Sequence, residues 1–150
     1  MTNNLSIDQV STKPQIVIKR KFNASRTKVW HALTDKKALS TWLMDTTDFE
    51  LIHGHRFQFS TTPRGKFDGI IKCEVLHIDE PDSLTYSWKA NEMKQPTIVK
   101  WTLTSLDDVT TLIILEHYGF IGFNGWMTKA MLGAGWKRLL RKKLSNYLGL

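Results

Sequence analysis

His117 is the residue of this chain whose setting most favours chemistry. Alternation along a predicted strand places it on the same face as Thr111 and Leu115. An imidazole buried on such a face requires a hydrogen-bond partner. It could orient the carbonyl or hydroxyl group of a ligand, or act as a base beside a carboxylate such as Glu50 or Glu74. No Ser/His/Asp or paired-carboxylate pattern accompanies it, so the favoured interpretation is a structural histidine bonded to backbone or to a threonine hydroxyl, and no catalytic residue is predicted.

The other chemically capable residues predict neither a metal site nor a cofactor. His53 and His55 have a spacing that on a strand gives two metal ligands on one face, but Gly54 indicates a turn and a third ligand is not evident. Cys73 is the only cysteine, which excludes an intramolecular disulfide and favours a reducing cytoplasm. It is interpreted as a small strand residue, because no thiolate-stabilising pair is evident. Phosphate-loop, dinucleotide and zinc-finger patterns are absent, so no cofactor is predicted.

The length and composition favour one domain. The chain has 150 residues, enough for a single buried core. Residues 1–14 are polar and are predicted to form a flexible tail, and residues 15–150 a single domain. The N-terminal segment lacks the apolar run of a secretory leader, and no segment approaches the roughly 20 apolar residues that cross a bilayer. We therefore expect a cytoplasmic protein without a transmembrane segment.

The net charge of +7 is concentrated at the C-terminus. Residues 126–150 contain six cations and no Asp or Glu. Such a cluster could meet nucleic acid or anionic lipid, but cations near the end of a helix are also stabilised by its dipole. No nucleic-acid motif with interleaved aromatic residues accompanies them, so a solvated helix face is favoured and no specific nucleic acid partner is predicted. The cations are Lys129, Lys137, Arg138, Arg141, Lys142 and Lys143.

The elements that position these residues begin with a strand and two short helices. Residues 15–22 are β-branched and then alternate, which predicts the first strand. Ser25 is an N-cap candidate for a helix over residues 26–33, and Asp35 for a second helix over residues 36–42.

From Asp48 onward the apolar period becomes two, which is typical of half-buried strands. Turn residues separate six such runs, and the hairpin order predicts an antiparallel meander. The fold class is therefore α+β, with a curved sheet of six to seven strands. The alternating positions include Phe49 and Leu51, Phe57 and Phe59, then Leu84, Tyr86 and Trp88, and finally Val99, Trp101 and Leu103.

One long helix closes the chain, from about residue 125 to residue 150. Trp136, Leu140 and Leu144 give it one apolar side. Gly133 and Gly135 within it cost about 1 kcal/mol each relative to alanine, which indicates close backbone approach, room left for a guest, or a kink. A curved sheet around one helix tends to leave a cavity, and cavities hold ligands.

Several blocks of the sequence resemble the START-like superfamily known as SRPBCC, and more narrowly the family named for the C-terminal domain of the heat-shock-protein ATPase activator (AHSA type). The resemblance extends from residue 16 to the end of the chain, and the order and spacing of its blocks make it specific for the fold. The blocks are FNASRTKVWHALTD at residues 22–35, GHRFQF at 54–59, IDEP at 78–81, LTYSW at 84–88, EHYGF at 116–120 and GW at 135–136.

This resemblance implies a helix-grip fold, in which a bent antiparallel sheet holds the C-terminal helix and two short helices close one end. It also implies an apolar pocket and places the face of His117 toward that cavity. The wider superfamily includes lipid and sterol transfer domains, hormone receptors and polyketide cyclases, so fold does not determine function. The activator's Asn-Asn-Trp-His-Trp stretch is missing here, since Leu5 and Ser6 follow Asn3 and Asn4, and a chaperone partner is therefore unsupported.

The predicted function is binding of a small apolar ligand, such as a lipid, a sterol-like molecule or a polyketide- or flavonoid-type compound. The alternatives are a cyclase- or hydrolase-like enzyme that uses the same pocket, and an interaction module that uses the basic helix on an acidic partner or chaperone. The predicted cavity-lining residues are Trp42, Phe57, Phe59, Tyr86, Trp88, Trp101, His117 and Trp136.

Overall fold

The computed structural model describes residues 14–150, and for residues 122–127 the backbone only. Of the tail predicted for residues 1–14, all but Pro14 lies outside the described residues. The elements in chain order are β1 (Ile16–Phe22), α1 (Arg26–Thr34), α2 (Lys36–Trp42), β2 (Arg56–Ser60), β3 (Ile70–Asp79), β4 (Ser83–Ala90), β5 (Thr97–Asp107), β6 (Thr110–Tyr118), α3 (Gly122–Arg138), a π-helical turn (Leu139–Leu144) and α4 (Ser145–Tyr147).

The six strands form one antiparallel sheet with the order β1-β6-β5-β4-β3-β2. Irregularities in register, between Val75 and His77 in β3 and between Ser105 and Asp107 in β5, are of the kind that bends a sheet. The sheet curves around the C-terminal helix, and the predicted α+β helix-grip fold is confirmed. Inward-facing residues of all six strands and the helices share one hydrophobic core.

The two short helices begin at the predicted caps. The Ser25 hydroxyl accepts a hydrogen bond from the backbone N–H of Lys28 at 3.3 Å, and the Asp35 carboxylate accepts one from that of Ala38 at 3.0 Å. Each cap satisfies a backbone donor that the first helical turn leaves without a partner. The two caps thus determine where α1 and α2 begin, and the Asp35 cap lies at the junction between them.

The strand expected around Phe49 and Leu51 is not present. An isolated bridge pairs Asp45 with Ser60, and within the segment the Ile52 N–H donates locally to the Glu50 carbonyl at 2.9 Å. The Asp48 carbonyl instead contacts the His55 imidazole, while the Phe49 ring packs edge-on against that of Phe57 with centroids 4.9 Å apart. Two apolar residues with a spacing of two were too short a pattern to separate a strand from a loop that buries one ring.

The C-terminal helix begins at Gly122 and contains a π-helical turn. Among its side chains that the structure describes, from residue 128 onward, the buried ones are Trp136, Leu140, Leu144 and Leu148, each four residues from the next. At about 100° per residue, a strict spacing of four drifts around an α-helix by about 40° per step. The wider π-helical turn offsets this drift and keeps the four side chains in the hydrophobic core.

Gly133 and Gly135 are not required by close packing. A Cβ atom placed on either glycine meets no neighbouring atom within 4 Å. The interpretation that these glycines permit close backbone approach is therefore wrong. The space beside them is open.

No helix in the described part of the chain is both long enough and apolar enough to span a membrane.

Candidate functional site

The structure brings all eight predicted cavity residues together, and their rings pack on one another. Each is at most 3% exposed. Ring centroids lie 5.1 Å apart for Trp88 and Trp136, 5.5 Å for Trp101 and Trp136, and 5.9 Å for Phe59 and Trp88. These are the separations at which aromatic pairs stabilise one another. We call this set the aromatic core; its members are Trp42, Phe57, Phe59, Tyr86, Trp88, Trp101, His117 and Trp136.

Polar side-chain atoms of the aromatic core, Trp88 Nε1 excepted, are hydrogen-bonded to neighbouring side chains or to backbone. The Trp101 indole N–H donates to the Tyr86 hydroxyl at 2.9 Å, and that of Trp42 donates to the Ala32 carbonyl at 2.7 Å. Burial raises the pKa of Tyr86 far above its usual value, so this side chain is a neutral phenol. These two bonds therefore fix ring orientations.

His117 lies in a hydrogen-bond chain that determines its tautomer. The Trp136 indole N–H donates to His117 Nδ1 at 3.1 Å. The Thr97 hydroxyl donates to the Trp88 carbonyl at 2.8 Å, and its oxygen lies 2.7 Å from His117 Nε2. Because the threonine proton is already used, Nε2 carries the hydrogen that Thr97 accepts. His117 is thus a neutral imidazole with both nitrogens occupied.

This environment suits a structural histidine. Burial lowers the pKa of His117 from 6.5 to about 3. Neither carboxylate considered as its partner is available, since Glu74 is paired with Arg56 at 3.1 Å and Glu50 is exposed. A general base needs an accessible lone pair, and Trp136 covers the one that His117 has.

A pocket of about 420 Å³ opens beside the aromatic core, between the sheet and the middle of α3. Its floor is formed by Ile71 of β3 together with Trp88 and Ala90 of β4, and Met131 and Leu132 of α3 form the opposite wall. Trp88 is the member of the aromatic core that lines it. Completing the lining are Arg64, Gly65, Lys66, Phe67, Glu92, Met93 and Thr128.

Two loops that are tied together form the rim of this pocket. In the β2–β3 loop, Arg64 and Phe67 exchange backbone hydrogen bonds at 3.0 Å around Gly65, whose φ of +58° favours glycine. The Asn91 side chain, from the β4–β5 hairpin, donates to the Lys66 carbonyl at 2.9 Å. The rim is therefore formed before any ligand arrives.

Most of the pocket-lining residues were missed by the sequence-based reasoning. Alternation identified inward-facing strand positions, but Phe67 and Met93 lie in loops and Met131 is 68% exposed. A signal was present in Gly65, since a turn there folds Phe67 back toward the sheet. The contacts of the eight predicted residues with a ligand remain a prediction.

A second concavity, of about 430 Å³, lies between β1 and the C-terminal helix; we call it the basic groove. Five cations line it, and none of its lining residues is acidic. Within residues 14–150, the ion pairs formed involve other side chains. The cations are Lys19, Arg20, Lys137, Arg138 and Arg141, and the remaining lining residues are Ile18, Ala134 and Leu140.

The remaining candidate residues do not assemble into a reactive site. Among the described residues, no group of three or more His, Cys, Asp or Glu side chains could hold a metal ion. His53 is exposed at a turn, and His55 contacts the Asp48 carbonyl. Burial, assisted by the negative charge of Asp48, raises the pKa of the Cys73 thiol well above its usual value, which keeps the thiol protonated.

A family profile matches most of the chain, and solved structures share its fold. A sequence profile of the family "Activator of Hsp90 ATPase homolog 1-like protein" matches residues 23–149. A comparison with curated proteins finds no match. Among solved structures, protein MLL2253 from Mesorhizobium loti is similar with 27% identity and a TM-score of 0.77, over 89% of this chain and 96% of that one.

Two further structures share the fold at lower identity. CalU16 from Micromonospora echinospora is 23% identical with a TM-score of 0.72, over 88% of this chain and 74% of its own. The Aha1 dimer from Colwellia psychrerythraea is 18% identical with a TM-score of 0.71, over 89% of this chain and 94% of its own.

Proposed function

The chain belongs to the family of Activator of Hsp90 ATPase homolog 1-like proteins, and on that premise we propose that it is a cytoplasmic, non-enzymatic protein that binds a small apolar or lipid-like molecule. The ligand would occupy the pocket between the sheet and α3. Candidate ligands are lipids, sterol-like molecules and compounds of the polyketide or flavonoid type.

The observation that carries this proposal is the pocket itself. Its volume of about 420 Å³ falls within the range of roughly 300–1,000 Å³ that is typical of small-molecule sites. Ile71, Trp88 and Ala90 form an apolar floor and are already packed into the sheet. A ligand can therefore bury its own apolar surface against them without reorganising the sheet. Burial of apolar surface contributes roughly 25 cal/mol per Å² before association costs are subtracted.

Met131→Glu tests whether apolar molecules bind in this pocket. Met131 lines the pocket and is 68% exposed, so the variant should fold while placing a charge against the bound molecule. We expect the affinity for the fluorescent probe anilinonaphthalene sulfonate to fall by about tenfold or more, measured by fluorescence titration.

The matched control is Val109→Glu, because Val109 is 67% exposed and lies between β5 and β6, outside the lining of the pocket. This variant should bind the probe as the parent protein does. Equal affinities for both variants and the parent would place the probe elsewhere and contradict the proposed site. The probe is itself anionic, so an effect of Met131→Glu should be repeated with the neutral probe N-phenylnaphthylamine.

The enzyme alternative has less support than binding. Its candidate base, His117, is neutral, fully buried and hydrogen-bonded at both ring nitrogens. The structure also provides no carboxylate partner for it among its described contacts. We therefore assign His117 a positioning role within the aromatic core.

The basic groove favours a second candidate function, which is association with an acidic protein partner. Five cations without a carboxylate among their lining neighbours create a positive potential along β1 and the helix. Ile18 and Leu140 add an aliphatic floor to this surface. Such a surface attracts acidic segments, and the attraction weakens as salt screens it.

A charge-reversal experiment tests the basic groove. In Arg138→Glu/Arg141→Glu, the affinity for a fluorescent polyglutamate peptide should fall by about tenfold or more at low salt, measured by fluorescence anisotropy. Lys36→Glu/Lys37→Glu is the control, because both lysines are exposed on α2, outside the groove, and the change in net charge is the same. Equal losses in the two variants would mean that only net charge matters and would exclude the groove as a site.

A further inference from the structure

Trp88, on the floor of the apolar pocket, carries an indole donor without a hydrogen-bond partner. Trp88 Nε1 is buried, and among the described residues it is the buried side-chain nitrogen or oxygen that has no hydrogen bond. Trp88 is 2% exposed and lines the pocket. Buried donors in folded proteins are nearly always paired, so this exception calls for a physical cause.

The other buried tryptophans show that this core normally provides an acceptor. The indole N–H groups of four of them each donate a hydrogen bond within 3.1 Å. Those of Trp30, Trp42, Trp101 and Trp136 donate to Glu80, to the Ala32 carbonyl, to the Tyr86 hydroxyl and to His117 respectively. Trp88 differs from these four in that it also forms part of the pocket floor.

Three described acceptors of β4, β5 and the hairpin between them are already engaged. The Thr97 hydroxyl oxygen serves His117, and the Trp88 carbonyl accepts the Thr97 proton. The Met93 sulfur accepts from the Ala90 backbone N–H at 3.4 Å. The protein therefore does not satisfy the Trp88 donor by a small rearrangement of these groups.

The Trp88 ring is also held firmly in place. It packs against Trp136 with centroids 5.1 Å apart and an interplanar angle of 53°, and against His117 at 5.8 Å and 71°. An indole fixed on these sides cannot turn its N–H toward solvent without disrupting the aromatic core. A partner must therefore come to the donor.

We propose that the occupant of this pocket is an apolar molecule that carries a hydrogen-bond acceptor oxygen, a ketone or a carboxylate, which pairs with Trp88 Nε1. This inference rests on the proposed binding function and adds to it a chemical requirement on the ligand. Trp88 lines the pocket while its Nε1 atom is buried, so the oxygen reaches the donor when the flexible Met93 and Met131 side chains that line the pocket shift to admit it. Arg64 and Lys66 at the rim suit a carboxylate, whereas Glu92 suits a neutral ketone.

A matched pair of probes tests the requirement without any mutation. β-Acetylnaphthalene and β-ethylnaphthalene have nearly the same shape, but only the first has an acceptor oxygen. Displacement of N-phenylnaphthylamine should show about tenfold tighter binding of the ketone by the parent protein, since a buried donor gains a partner only from the ketone. β-Naphthoate, measured in parallel, separates an anionic ligand from a neutral one, and a preference for either oxygen compound over the hydrocarbon supports the proposal.

Two variants then attribute the preference to Trp88. Trp88→Phe should remove the preference for the ketone over the hydrocarbon. Trp30→Phe should retain it, because the Trp30 indole of the parent protein donates to Glu80 outside the pocket. If Trp88→Phe does not fold, benzothienylalanine at this position replaces the N–H by sulfur and keeps the ring size. Equal binding of ketone and hydrocarbon by the parent protein, or a preference that persists without the Trp88 donor, would overturn this inference and leave apolar binding intact. Binding of none of the probes would overturn the proposed function and this inference together.

Discussion

We expect Trp136→Ala to lower the free energy of unfolding by about 3–5 kcal/mol, as truncation of a buried tryptophan does. Trp136 is 2% exposed, and its ring packs on Trp88 and Trp101 at the centre of the aromatic core. The change also leaves His117 Nδ1 buried without its donor, which adds to the loss. Against a typical stability of about 5–15 kcal/mol, the variant would be close to unfolding. Urea denaturation followed by fluorescence measures the difference.

Two controls make this result specific. Lys137→Ala alters the exposed neighbour on the same helix and should stay within about 0.5 kcal/mol of the parent. Trp136→Phe keeps part of the ring contact, so its free energy of unfolding should lie between those of Trp136→Ala and Lys137→Ala. If Trp136→Ala were as stable as Lys137→Ala, the helix would not be anchored to the sheet by this ring.

Acid should destabilise the protein through His117 before most carboxylates titrate. The pKa of His117 is lowered from 6.5 in the unfolded chain to about 3 in the folded state by burial. Between these values the unfolded state binds a proton that the folded state does not, so stability is complete above pH 6.5 and is lost as the pH falls. By about pH 4, protonation of His117 in the unfolded state should lower the free energy of unfolding by roughly 3 kcal/mol. Urea denaturation at a series of pH values measures this loss.

The variant His117→Gln isolates this contribution. Glutamine keeps one donor and one acceptor but does not titrate, so it should lose stability with acid more slowly than the parent, whatever its stability at neutral pH. Carboxylates such as Asp107, whose pKa is lowered by hydrogen bonds from the Val109 and Thr110 region, contribute equally to both proteins. Parallel curves for the two proteins would contradict the assignment of a neutral, buried His117.

The fold could be predicted because alternation and capping are local patterns with direct structural meaning. Leu84, Tyr86 and Trp88 alternate with polar residues, and all three are buried on one face of β4. Ser25 and Asp35 begin their helices because each accepts a hydrogen bond three residues ahead. The π-helical turn was not predicted, since no local pattern distinguishes it from regular α-helix; it keeps Leu144 and Leu148 in the same core as Trp136.

The pocket was harder to predict because alternation gives the direction of a side chain and not the distance to its neighbour. Trp88 and Trp136 were correctly placed on facing surfaces, but no pattern revealed that their rings meet at 5.1 Å and fill that part of the hollow. The pocket beside these rings is lined in part by Phe67 and Met93, whose positions depend on loop conformation. Loop closure is a long-range property, and here it relies on Asn91 bridging two turns.

The π-helical turn makes the C-terminal end of the chain sensitive to length. One residue advances an α-helix by about 100°, so one residue inserted within Leu139–Leu144 would turn Leu144 and Leu148 away from the core. One residue deleted there would instead convert the π-helical turn to regular α-helix and keep both side chains near the side of Trp136. The same end is fixed to α1 by the Lys28 ammonium, which donates to the Leu148 carbonyl at 3.2 Å. Substitutions of the exposed residues in this stretch should therefore be tolerated far better than insertions, and evolution can vary the composition of this surface more freely than it can lengthen it.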